Sequence, residues 1–503
     1  MQEEYWRNFR GVFDSYIILV FSKYSFNWHS MDEKALQVEG DLFEAVQNSE
    51  IFDDSKTFPD AILTTNKETA LEDFKNKDIK TAVNRNFEIP ESPNISIDNR
   101  SSMRAYIESS WDSLLQSSSD KSTLIPLENK YVAPGGRFRE QYYWDSYFSM
   151  LGLKASGRTK ILRGMVENFS SLIERFGFIP NGNRIYFLDR SQPPFFAYMI
   201  NLLPENEKTK YQGNLEEEYR FWMDRRTVKT EKGDKLNRYW SEKTVPRPES
   251  YAEDFETGGS ENFRGIRAAC ESGWDFSSRW ANNGLESIRI TDIAPVDLNC
   301  FLYENERTLS ELSSEPEKSE KYREKMSRRK KLIDKYFWNE GEGFYFDYDL
   351  ENQRQTDTWS LAGAVPLYVE AASQRQAEQV AENLEEKFLE KGGFVTSLTR
   401  SGHQWDYPNG WAPLQWIVYQ GLRNYGFDQL AEMAAKKWIE MNREIFRETG
   451  KMYEKYNIVD PMSEVEDGEY PVQEGFGWTN GVTLMMLKKL GETSGSVSSD
   501  GIT

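Results

Sequence analysis

Apolar residues return at three- and four-residue intervals through block after block of this chain. Ile161, Met165, Phe169, Ile173 and Phe176 fall on one helical face that stops at Gly177, a residue suited to a C-cap. Similar stripes run through Met103, Ile107, Trp111 and Leu114, through Tyr322, Met326, Ile333 and Phe337, and through Ala377, Val380, Ala381, Leu384 and Phe388. Further helices are predicted over roughly 412 to 424, 427 to 445 and 479 to 490. Strand alternation is scarce. Its clearest case, GFYFDYDL at 343 to 350, is bounded by Asn339, Gly341 and Gly343 and reads as a hairpin between helices. Successive helices without strand-helix alternation predict an all-α architecture of packed antiparallel pairs and disfavour a TIM barrel.

No fixed-period repeat and no Pro/Gly/Ser linker interrupts roughly 35 to 490, so residues 35–490 are expected to form one domain. Residues 1–34 stand apart as an N-terminal arm, whose apolar run Tyr16 to Phe21 is too short and wrongly flanked for a secretory signal. GETSGSVSSDGIT at 491–503 is small and polar, and predicts a disordered tail.

Composition narrows the chemistry. The 82 acidic against 62 basic residues leave a net charge of −20, the wrong sign for a nucleic-acid or anionic-membrane partner. With 30 Phe, 26 Tyr and 15 Trp the chain has the large side chains of a packed core. Cys270 and Cys300 are the only thiols, so a disulfide framework and a four-thiolate zinc site are excluded, and a reducing, cytoplasmic setting is expected. Only His29 and His403 are present, so no metal site is expected and carboxylates must carry most acid-base work. A monomer is expected.

Several segments between the stripes are too rich in Gly, Pro, Trp and polar residues for plain helix, and function tends to sit in such loops. PGGRFREQYYWDSYF at 134 to 148 offers Arg137, Trp144 and Asp145, a cation, an indole face and a carboxylate that suit a polyhydroxyl ligand as well as they suit an ion pair with a packed ring. Asn181, Arg190 and Gln192 flank fixed prolines, and Arg247 and Glu249 flank Pro248, patterns that turn chemistry alone also produces. Asp275 lies between Trp274 and Phe276, an apolar setting that raises a carboxyl pKa toward a general acid's, and is the best acid candidate. QWDYPNGWAPLQW at 404 to 416 crowds three Trp around Asp406, as a sugar platform or as packing at a helix start, where Pro413 fits. Glu454 and Glu469 flank an irregular loop, and either can serve as a base.

PGGRFREQYYWDSYF and QWDYPNGWAP resemble the two signature motifs of trehalases of glycoside hydrolase family 37, and the likeness runs from Leu42 to Leu487. It implies an (α/α)6 toroid, a six-hairpin glycosidase-like barrel whose long loops form the pocket, and cofactor-free hydrolysis of the disaccharide α,α-trehalose to two glucoses with inversion. By the same resemblance Asp275 is the general acid and Glu454 the general base. Sugar-binding roles fall on Arg137, Trp144, Asp145, Asn181, Arg190, Ser191, Gln192, Arg247, Pro248, Glu249, Gly273 and Glu469. Where the family carries a glycine run before EYPxQxGFGW, this chain reads MSEVEDGEY. Inversion needs the acid protonated, the base ionised and one water between them, with arginines 137, 190 and 247 expected to balance the carboxylates. A related toroidal disaccharide hydrolase or phosphorylase, or a catalytically silent trehalose-binding protein, is the alternative.

Overall fold

A helix that is apolar on every side has no stable place except the middle of a fold, whereas a one-sided helix belongs outside it. In the computed structural model, which describes residues 35–49, 51–90, 102–118, 122–281, 284–463, 468 and 470–492, the chain alternates between the two kinds. Outer α1 (Met103–Ser113) precedes inner α2 (Tyr143–Ala155), outer α3 (Thr159–Phe176) precedes inner α4 (Phe196–Asn201), and outer α5 (Gln212–Arg225) precedes inner α6 (Val296–Leu312). Outer α7 (Pro316–Tyr336), α9 (Gln374–Asn383) and α11 (Asp428–Thr449) precede inner α8 (Val365–Tyr368), α10 (Ala412–Asn424) and α12 (Gly477–Lys489). The inner helices touch in the order α2, α4, α6, α8, α10, α12, and α12 returns to α2, closing an (α/α)6 ring. Residues 143–153 of α2 and 477–487 of α12 are buried without a break, as central positions require.

The tightest crossing is between α2 and α12. A Cβ on Gly481 would stand 2.1 Å from the Phe148 carbonyl oxygen, and one on Gly152 would stand 2.5 Å from the Trp111 ring. Two mid-helix glycines, each costing about 1 kcal/mol against alanine, are thereby explained by contact distance.

The predicted stripes form helices, and Gly177 caps α3 at φ 78° with its N–H on the Ile173 carbonyl at 2.7 Å. The stripe through Leu384 and Phe388 leaves α9 in a wider π turn. Segment 343–350 differs from the single hairpin expected. Phe344–Tyr345 pairs with Trp338–Asn339, but Tyr348–Asp349 pairs with Ile293–Ala294 and Arg354–Gln355. Between them Asp347 is drawn inward by Arg279 at 2.9 and 3.0 Å and by the Val296 N–H at 2.9 Å, which splits the strand.

One large core runs from Met103 to Leu487, and a smaller cluster of residues 36–87, including Phe43 and Phe58, packs against Tyr251. The arm 1–34 lies outside the described residues. Of the expected tail, Gly491 and Glu492 are described, and Glu492 pairs with Arg443 while its carbonyl accepts from Arg104 at 3.2 Å. Residues 493–503 lie outside the described residues.

Gly481→Ala should therefore destabilise the fold by about 1–3 kcal/mol, whereas Gly213→Ala, with open space at its Cβ in the first turn of α5, should stabilise it by a few tenths to about 1 kcal/mol. Thermal or urea unfolding of the two variants reads the opposite signs.

Candidate active site

Inner helices α2, α10 and α12 bring their N-terminal residues to one end of the ring, and the polar loops noted in the sequence converge there around a pocket. It encloses about 670 Å³ including its open mouth, and is lined by Arg137, Trp144, Asp145, Asn181, Arg190, Gln192, Arg247, Glu249, Gly273, Asp275 and Glu454 among others. Its aromatic wall is a column. Trp405 lies 4.0 Å from Trp411 at 2° between planes and 5.4 Å from Trp274, and Trp478 meets Trp405, Trp411 and Trp144 edge-on.

Local constraints fix each side chain. Trp144 and Asp145 occupy the first turn of α2, where the Trp144 N–H donates to Gln192 Oε1 at 3.1 Å. Asn181 joins two walls, accepting from the Tyr143 N–H at 3.0 Å and donating to the Arg190 carbonyl at 3.0 Å. Gly273 caps the helix Ser260–Ser272 at φ 72°, and a Cβ there would stand 2.7 Å from the Trp144 ring, so the turn into Asp275 closes directly on the indole. Asp406 is not in the pocket. Buried, it accepts from Ser277 Oγ at 2.9 Å, the Ser278 N–H at 2.7 Å and Ser397 Oγ at 2.7 Å, pinning the loop that carries Asp275. Trp416 packs in the core beside Tyr419 and leaves the platform to Trp405 and Trp411.

Ser191 and Pro248 stand behind the wall. The Ser191 N–H donates to Glu271 Oε1 at 2.9 Å and its hydroxyl to the Ile179 carbonyl at 2.6 Å, while the Pro248 carbonyl accepts from Gln47. Glu469 lies outside the described residues. The residue-by-residue reading did not single out Lys56, Tyr142, Cys270, Tyr470 or Trp478 as site residues, although all five line the pocket. Lys56 reaches it from the N-terminal segment, held by Asp60 at 2.5 Å and Glu140 at 2.9 Å. Its signal was proximity to the start of the long resemblance, with no chemistry of its own to mark it.

Each of the three arginines has a carboxylate partner at close range, and Arg137 also acts on Glu454 from farther away. Arg137 is bidentate on Asp54 at 2.6 and 3.0 Å, Arg190 pairs with Glu249 and Asp189, and Arg247 is clasped by Asp254 at 2.7 and 2.9 Å. Each guanidinium thus brings a carboxylate of its own, as burying a cation requires.

Glu454 is 1 % exposed, and burial pushes its carboxyl up to about 7 against the pull of Lys455, Tyr470 and Arg137. Asp145 is pushed well above the carboxylate range, first by burial and then by the charges of Glu454 and Asp275. Glu454 Oε2, Glu249 Oε2 and Arg190 Nε are buried without a hydrogen-bond partner. Buried polar atoms nearly always have partners, so three orphans around one cavity mark where a polar ligand's groups fit.

Residues 41–491 match the trehalase family. The chain belongs to that family. It is 42 % identical over 485 residues to the periplasmic trehalase of Salmonella paratyphi A, covering 89 % of this chain and 85 % of that protein, and equally so to the periplasmic trehalase of Salmonella schwarzengrund. The neutral trehalase of Saccharomyces cerevisiae shares the fold at a TM-score of 0.63 and 27 % identity, over 77 % of this chain and 80 % of that one.

For this member of the trehalase family the cytoplasmic expectation is corrected, because the Salmonella relatives are periplasmic trehalases. Its physical basis was weak. Cys270 and Cys300 are buried free thiols, and two unpaired cysteines do not fix the redox compartment.

The buried base candidate carries a stability cost of known sign. Between pH 4.5 and about 7 folded Glu454 keeps a proton that the unfolded chain releases, so its contribution to stability falls as pH rises through that window. Glu454→Gln should therefore gain up to ~3 kcal/mol over wild type at pH 8 and little at pH 4.5, read by urea unfolding at the two pH values.

Proposed function

We propose that this pocket hydrolyses α,α-trehalose to two glucoses with inversion, Asp275 acting as general acid and Glu454 as general base. The observation that carries the roles is the unpartnered, buried Oε2 of Glu454 in an indole-walled pocket that Asp275 also lines. Asp275 follows the C-terminus of the helix Ser260–Ser272, the electron-rich end of its dipole, which favours the neutral acid. Glu454, ionised above about pH 7, takes a proton from water as that water attacks the anomeric carbon. Asp275 protonates the departing glycosidic oxygen. A carboxyl separation of about 6.5–9.5 Å leaves room for the water.

Trp144, Trp405 and Trp411 offer apolar faces for the pyranose rings, and Arg190, Glu249, Asn181, Gln192 and Arg247 surround the hydroxyls. Asp145, held neutral, donates a hydrogen bond where a carboxylate would only accept. Arginines already paired with carboxylates favour neutral sugar hydroxyls over the phosphate that a phosphorylase needs. We read the chain as a monomer acting as a single domain over 35–490. The Salmonella relatives' location supports the periplasm as its place of action.

Asp275→Asn and Glu454→Gln should each lower kcat by about 10³-fold or more with little change in KM, and proton NMR of early product should show one α- and one β-glucose. Wild-type kcat/KM should fall as pH drops through about 7, the protonation of Glu454. Near-normal turnover in either variant, two α-glucoses, or glucose release only with phosphate would reject the mechanism.

A further inference from the structure

Glu454 is fixed through its backbone and one oxygen only. Its N–H donates to the Gln473 carbonyl at 3.0 Å and its carbonyl accepts from Trp478 Nε1 at 2.9 Å. These bonds place the Cα but leave the carboxyl plane free to turn. Tyr470 removes that freedom, donating its hydroxyl to Glu454 Oε1 at 2.8 Å, while Oε2 has no partner.

The phenol is itself held. The Arg137 guanidinium lies 5.0 Å from the centre of its ring, and the Phe138 ring meets it at 5.2 Å and 74°. Arg137 is clamped by Asp54, and its backbone N–H donates to Gln473 Oε1 at 2.8 Å. An unbroken set of contacts therefore runs from Asp54 through Arg137 and Tyr470 to the carboxyl of Glu454.

We propose that Tyr470 is a positioning residue for the general base, holding Glu454 Oε1 so that Oε2 alone takes the proton of the attacking water. This rests on the reading of Glu454 as base. A carboxylate that rotates spends only part of its time in line with the water, and misplacement by about an ångström costs on the order of 10²-fold in rate. The donated hydrogen bond also stabilises the ionised form, in the same direction as the nearby charges of Lys455 and Arg137. Asp145, Asp275 and Glu249, the last paired with Arg190, are the other acidic groups described around the pocket, and Lys455 Nζ donates to Gln404 Oε1 at 3.2 Å.

Tyr470→Phe keeps the ring stack and deletes the hydroxyl. It should lower kcat by ~10–100-fold, the worth of one hydrogen bond to a charged group, with KM changed less than about threefold. The acid limb of kcat/KM should move to higher pH, so that the deficit is larger at pH 6 than at pH 8. Placing 3,5-difluorotyrosine at 470, a stronger donor of the same shape, should move the limb to lower pH. In the Glu454→Gln background Tyr470→Phe should cost less than about twofold. An unmoved acid limb in both Tyr470 variants, with Glu454→Gln inactive, overturns the positioning role. A Glu454→Gln enzyme with near-normal turnover instead removes the base assignment, whatever Tyr470→Phe does.

Discussion

Taking a charge out of water costs several kcal/mol unless something pairs with it, and this pocket gathers buried arginines and carboxylates around one cavity. The arrangement meets that cost unevenly. Arg190 and Arg247 each arrive with a carboxylate fastened to them, and Arg137 with Asp54. Glu454 has a tyrosine hydroxyl and the more distant fields of Lys455 and Arg137. The uneven pairing is what separates the groups chemically. The arginines have their charge met by a carboxylate, although Arg190 Nε and Glu249 Oε2 keep an open position, and the under-compensated carboxyl of Glu454 is left with a raised proton affinity.

The ring supplies the rigidity this requires. α2 and α12 cross closely enough that neither Gly152 nor Gly481 has room for a Cβ, and the pair carries Trp144, Asp145 and Trp478 at its N-terminal end. Positions set by helix-to-helix contact move little, so the indoles hold their place while loops from five other parts of the chain bring polar groups to them. Asp406 serves the same end from behind the wall, gathering four serine hydroxyls and a backbone N–H and so fixing the loop beneath Asp275.

Much of this was legible beforehand, for reasons specific to each element. The stripe ending at Gly177 could be read because a long amphipathic helix repeats its signal over five turns. The chain's order, and the convergence of residues from 137 to 454, could not be read from periodicity and came from resemblance to a known family. The strand at 343–350 was misjudged because an inward-facing Asp347, bound for Arg279, looks in sequence like the polar half of an alternation. The arginines' nearest partners were hidden for a similar reason: Asp54 is 83 positions from Arg137, and nothing local announces that it will share the charge. Tyr470 had no signal of its own, since one tyrosine among 26 acquires meaning only beside the carboxyl it touches.

Glu249 is paired with Arg190, and the other three carboxyls described in the pocket are best understood together. Asp145, Asp275 and Glu454 cannot all ionise at once, because each negative charge raises the proton affinity of its neighbours. Asp145 is held above the carboxylate range chiefly by burial, and a negative charge on Glu454 or Asp275 pushes it further the same way. A neutral Asp145 removes one negative charge from the pocket and so makes it easier for Glu454 to lose its proton. An ionised Asp145 would raise the proton affinity of a neighbouring carboxyl such as Glu454. In the proposed mechanism Asp145 would therefore act twice, as a hydrogen-bond donor and as the group whose neutrality keeps the base in use. For that reason a substitution at Asp145 cannot be read as lost binding alone.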